Sequence, residues 1–158
     1  MRSKLARRPG LALACCALAA FLPVAQAEPL RGQTLYVPVY SEVPYGDKGL
    51  TLNLTATLSL RNTDRERAIA VERIDYYSGS GRLIRSYLKQ SAALKPLAST
   101  EAIVKESDRS GGIGASFLVE WASDSPVSAP LVEAVMVNST YNQGIAFTSP
   151  SRVLEERK

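Results

Sequence analysis

From Thr51 to Arg61 apolar and polar side chains change places at every step. Leu52, Leu54, Ala56, Leu58 and Leu60 stand in one phase; Thr51, Asn53, Thr55, Thr57, Ser59 and Arg61 stand in the other. Period two over this length marks a β-strand with one dry and one wet face, because a helix would scatter the leucines around its circumference. The same alternation puts Leu35, Val37 and Val39 on one side of QTLYVPVY (33–40). Pro38 has no N–H to give a ladder, which predicts an edge strand there, open to pairing with another chain. In AIAVERIDYY the phase slips between Val71 and Ile74, which predicts a bulge at Glu72–Arg73. SGSG (78–81) reads as a turn from which RLIRSYLK returns. TEAIVKE, ASFLVEW, LVEAVMVN and GIAFTS supply four more strands, with Phe117, Val119 and Trp121 on one side of theirs. Only SRVLEERK, at the end, has a helix-like composition, and it is charged enough to fray over residues 150–158.

About eight short strands separated by turn signals predict an all-β fold, an antiparallel immunoglobulin-like β-sandwich. The expected core holds Leu52, Leu54, Leu58, Leu60, Phe117, Val119, Trp121 and Val135. Nothing between residues 28 and 158 reads as an internal repeat or an inter-domain linker, so this span is expected to be one domain.

The residues before it have another pattern. Arg2, Lys4, Arg7 and Arg8 form a basic start, Leu11–Val24 is almost wholly apolar, and Ala25-Gln26-Ala27 offers a small-x-small cleavage site. This is the layout of a secretory signal peptide over residues 1–27, with a mature chain from Glu28 that is periplasmic or secreted. Lipid anchoring through Cys15 is the rival reading, but it would leave a very short apolar region. No later stretch is long enough for a transmembrane helix.

Removing that segment changes the charge. Four of the 19 basic residues go with it, leaving 15 Lys and Arg against 15 Asp and Glu. The apparent pI of 9.2 therefore gives no argument for nucleic acid as a partner. Both cysteines also lie within it, at Cys15 and Cys16, and the chain has no histidine. Zinc, copper and haem sites of the usual kinds lose their ligands, and Ser-His-Asp and Cys-His catalysis has no base. No cofactor and no metal is expected. Ser86-Tyr87-Leu88-Lys89 spells an S-x-x-K motif, but Ser and Lys three apart on a strand point to opposite faces. Carboxylate pairs for glycoside hydrolysis could be drawn from Asp75, Glu101, Glu106, Asp108, Glu120 and Glu133, yet these sit where solvated surface acids ordinarily do.

SDRSGGIG (107–114) has three glycines in four positions. A Walker loop would continue Gly-Lys-Ser/Thr into a helix; here Gly114 leads to Ala115-Ser116 and a strand. The stretch reads as a strand-to-strand connection whose glycines serve positive φ or a close backbone approach.

The stretches YVPVYSEVPYGDK, LTATLSLRNTD, DYYSGSGRLIRSYL, LKPLASTEAIVKESDRSGGIGASFLVEW, VEAVMVN and GIAFTSPSRV resemble an uncharacterised family of secreted bacterial proteins, domain-of-unknown-function family 3124. The resemblance runs through residues 36–153 and implies an exported bacterial domain; it brings no activity, cofactor or catalytic residue.

The sequence therefore favours a non-enzymatic binding or interaction domain of the cell envelope, its partner an envelope protein or a small ligand. The alternatives are a strand-pairing structural or chaperone-like protein and a carboxylate-based hydrolase. If strands alternate in direction, connections 45–49, 78–81, 107–114 and 139–143 emerge at one end. That end carries the candidate binding residues Asp47, Lys48, Asp108, Arg109, Gly111, Gly112, Tyr141 and Asn142, with Gln143 beside them. No catalytic residue is assigned.

Overall fold

The computed structural model describes residues 28–139 and 144–158. Residues 1–27, expected to be a signal peptide, and two of the candidate residues, Tyr141 and Asn142, lie outside them. The described residues form twelve strands: β1 (Leu30–Pro38), β2 (Glu42–Tyr45), β3 (Leu50–Asn53), β4 (Thr55–Arg61), β5 (Ile69–Tyr77), β6 (Leu83–Ser86), β7 (Ala92–Leu94), β8 (Ser99–Val104), β9 (Ser116–Val127), β10 (Leu131–Asn138), β11 (Ile145–Pro150) and β12 (Arg152–Arg157). All pairings are antiparallel. Among the described residues no helix is long and apolar enough to cross a membrane.

One sheet runs β12-β1-β9-β5-β6, with β7 also on β5; a second runs β11-β10-β4-β8; β2 and β3 make a separate hairpin. The two large sheets contribute to one hydrophobic cluster. Leu35, Val37, Val71, Phe117, Val119 and Trp121 enter it from the first, and Ala56, Leu58, Leu60, Val104, Ala134 and Met136 from the second. Each strand buries alternate positions because successive side chains leave opposite faces. Trp121 is fully buried, and its indole N–H donates to the Gln33 side-chain oxygen at 3.2 Å, so the one polar atom of the ring is satisfied. A bulge on β5 between Val71 and Arg73 lies where the phase slips in the sequence.

Several expectations need correction. The described residues hold twelve strands rather than about eight. The surplus comes from the short β2 and β7, from β12, and from the run 51–61, which breaks at Leu54: β3 turns away to pair with β2 while β4 joins the second sheet. Residues 33–40 are not an edge, because β1 lies between β12 and β9. Pro38 is tolerated because β12 pairing stops at Tyr36, which leaves position 38 with a neighbour on one side only. SRVLEERK is strand, not helix or frayed tail: the free side of β1 accepts it, and tertiary pairing overrides helix propensity. Val135 is half-buried on the outer face; Val132, Ala134 and Met136 face the core instead. Leu52, in the hairpin, is only partly buried against the core.

Candidate functional site

The 107–114 stretch links β8 to β9 and packs on two other connections. The Gly79 N–H, from the β5–β6 turn, donates to the Gly111 carbonyl at 3.0 Å. On the other side the Ser41 N–H and Oγ both donate to the Gly112 carbonyl, at 3.3 and 3.1 Å. Ser41 precedes the β2–β3 hairpin, so three connections meet at one end of the molecule. Asn138, the last residue of β10, donates to the Asn53 carbonyl and the Glu106 carboxylate, which brings the end of that strand to the same place.

Two glycines explain the local composition. Gly112 has φ of +69°, a left-handed conformation that costs other residues energy. Gly111 has a steric reason: a Cβ there would overlap the Tyr76 hydroxyl and lie 2.6 Å from the Ala115 Cβ. Tyr76 is fully buried beneath it, and its hydroxyl makes no hydrogen bond. Burial pushes that hydroxyl above its ordinary value.

The charges at this end are largely spent on one another. Arg109 holds Glu42 through Nε and Nη2, at 2.9 and 2.7 Å, and so ties the glycine loop to the hairpin base. Asp108 accepts from the Ser110 hydroxyl and N–H and from Arg85 Nη2, the last at 3.0 Å. The Ser110 hydroxyl, then its N–H, and Arg85 hold the Asp108 carboxyl below the usual carboxylate range, against some desolvation. Arg85 also lies over the Tyr87 ring, 5.5 Å from its centroid, and donates to the Tyr87 hydroxyl. Tyr87 in turn donates to the Ile103 carbonyl at 2.9 Å, on the side of β8 that has no strand neighbour.

Asp47 and Lys48 sit at the exposed tip of the hairpin between Gly46 and Gly49, both with positive φ, and make no ion pair among the described residues. Their tip is distinct from the packed loop; only the hairpin base reaches Arg109. Thus Asp108, Arg109, Gly111 and Gly112 are brought together, while Asp47 and Lys48 stand off. Residue spacing gave no sign of Tyr76, Arg85, Tyr87 or Glu42. The opposite charges of Glu42 and Arg109 were visible, but not their meeting.

This end also exposes apolar side chains. Tyr45 and Leu50 face each other across the hairpin with 52% and 48% of their surface free, and Ile113 in the glycine loop has 47%. Beside them lies an open depression of about 480 Å³ lined by Asn53, Lys105, Glu106 and Ser107. The Asn53 side-chain oxygen is buried there without a partner. A second depression, about 300 Å³, lies away from this end between Ala70, Glu72, Ala93 and Ala122.

The other candidate chemistry is dispersed. The Ser86 hydroxyl donates to Asp75 at 2.6 Å and not to Lys89. The exposed Arg73 lies 3.7 Å from the buried Asp75 and 3.3 Å from the half-buried Glu120, so these acids are tied to a cation and not paired with each other. Among the described residues no cluster of three or more acidic, Cys or His side chains is arranged for a metal.

A family model described as "Protein of unknown function (DUF3124)" matches residues 32–154. No curated protein matches the chain. The solved structure "Crystal Structure of Thermotoga maritima 1070" is similar at 16% sequence identity, covering 82% of this chain and 98% of that one, with a TM-score of 0.47.

Proposed function

The chain belongs to the family of proteins of unknown function DUF3124, and we propose that it is a non-enzymatic binding domain of the bacterial cell envelope whose recognition surface is the hairpin and glycine-loop end. One observation carries the reading: Arg85, Asp108, Arg109 and Glu42 pair with one another in holding the loops, while Tyr45, Leu50 and Ile113 are left exposed on them. Exposed aromatic and aliphatic groups on a rigid polar frame suit a partner with its own apolar surface. Export through the signal peptide at residues 1–27 would place the domain in the periplasm or outside the cell.

The immunoglobulin-like sandwich belongs to the same reading. Two antiparallel sheets that close on one hydrophobic cluster support it.

The test uses exposed residues, because Asp108 and Arg109 hold the loop itself. Immobilised mature protein is expected to capture a partner from envelope extract, and Tyr45→Ser/Ile113→Ser, at unchanged thermal midpoint, to lose it. A partner held equally by both proteins places recognition elsewhere.

A further inference from the structure

Sheet edges expose unpaired N–H and C=O groups, and proteins usually blunt them. The β8 edge is partly capped by the Tyr87 hydroxyl on Ile103. The free side of β12 has no such cap among the described residues. Every residue of β12 is exposed, including Val153 at 44% and Leu154 at 52%.

The charges along β12 divide into two kinds. Glu156 accepts from Gln33, and Arg157 holds Glu72 and the Trp121 carbonyl. Arg152 and Glu155 make no side-chain hydrogen bond or ion pair with any described residue. Their placement depends on a bulge. The register against β1 shifts so that Glu155 lies opposite Thr34, Val153 opposite Leu35 and Arg152 opposite Tyr36, with Leu154 left over. Thr34 and Tyr36 lie on the outer face, whereas Gln33, Leu35 and Val37 are buried. Arg152 and Glu155, three apart, would ordinarily leave opposite faces of a strand. The extra residue puts both on the outer face.

We infer that β12 pairs antiparallel with β12 of a second copy of this chain, about a two-fold axis passing between Val153 and Leu154. In that register Arg152 of each copy faces Glu155 of the other, and Val153 faces Leu154. The two unpartnered charges are satisfied twice, and two exposed apolar pairs cover each other. Because the bulge places Arg152 and Glu155 on one face, the axis stands normal to the sheet, so the β6-β5-β9-β1-β12 path continues into its mate with both cores on the same side. This makes the interface isologous. Directly opposed opposite charges favour this register, and like charges there oppose it.

The experiment is charge reversal on the mature chain, with mass measured by sedimentation equilibrium over a range of concentrations. The unaltered protein is expected to form a reversible dimer that weakens with salt. Arg152→Glu alone and Glu155→Arg alone each set like charges face to face and are expected to be monomers. An equimolar mixture of the two variants restores every Arg–Glu pair and is expected to form a heterodimer; the double variant R152E/E155R is expected to dimerise with itself. Unchanged far-ultraviolet circular dichroism of the two single variants shows that their folds survive. An unaltered protein that stays monomeric at every concentration overturns the inference. So does a dimer indifferent to the single reversals, or a mixture that does not rescue.

Discussion

The two ends of the molecule are held by different means. Away from the glycine loop, side chains bind backbone. Asn62 is buried, and its amide N–H₂ reaches the carbonyls of Arg67, Leu94 and Lys95, at 2.8, 3.1 and 3.1 Å, while its oxygen accepts from the Asp64 N–H. Asp64 accepts from the N–H groups of Glu66, Arg67 and Ser128. Two neighbouring residues thereby fasten three connections. At the glycine end backbone meets backbone directly at the glycines, through Gly79 to Gly111 and Ser41 to Gly112, and surface ion pairs add to the few side-chain ties. A connection fastened through buried side chains can use ordinary turn residues. One that approaches backbone directly needs glycine, and it leaves its larger side chains free to face outward.

The contrast makes the first end the more sensitive to a single change. Asn62→Ala would take a donor from the Arg67, Leu94 and Lys95 carbonyls, of which Lys95 keeps the Ala98 N–H, and an acceptor from the Asp64 N–H, and is expected to cost about 3 kcal/mol. Urea denaturation checks it, and a midpoint shifted no more than that of an exposed Asn→Ala control would show that water replaces the amide. At the glycine end Gly111→Ala drives a methyl into the Tyr76 hydroxyl and is expected to cost about 1–3 kcal/mol. In the Tyr76→Phe background the obstructing hydroxyl is gone and the same change should cost less; equal costs in the two backgrounds would mean that the loop yields and the ring does not matter.

The smallest effect separates the ends by pH. The N–H groups of Glu66, Arg67 and Ser128 hold the Asp64 carboxyl below its ordinary value of 3.8, and Asp108 is likewise held down, first by the Ser110 hydroxyl. Depressed folded-state values mean that both contributions are complete above the ordinary carboxylate range and vanish as pH falls through the folded value, below 3.8. Amide NMR in that acid window should show Glu66, Arg67 and Ser128 responding together, residues from two connections. At the other end the response should centre on Ser110. A Ser128 amide indifferent to Asp64 protonation would remove the link between those connections.

The sequence was most legible where one face is dry and the other wet. In β4, with Leu54 just before it, and in β9 the alternation singled out Leu54, Leu58, Leu60, Phe117, Val119 and Trp121, all completely buried. It misled in β10 because both phases are apolar: Leu131, Val135 and Val137 line an outer face that happens to carry valine and leucine, and periodicity cannot choose between two apolar sets. It misled again at β12, where Glu, Arg and Leu suit a helix and only the vacant side of β1 decides otherwise. At the candidate site the glycines were visible, but the reason for Gly111 was a tyrosine far off in sequence and across a sheet. The pairing of Arg109 with Glu42 depends likewise on which loops become neighbours, which local pattern does not encode.

The neighbours of β1 also set a timetable. Its partners are β9, beginning at Ser116, and β12, ending at Arg157. A ribosome delivers β1 before either of them, so this strand must remain unpaired at least until β9 is made. Local hairpins such as β2–β3 can close as they emerge, but the first large sheet must wait for its latest strands. Its assembly is therefore deferred and dominated by non-local closure, which slows folding. Until β9 has emerged β1 has no partner, and until β12 has emerged it keeps one open side.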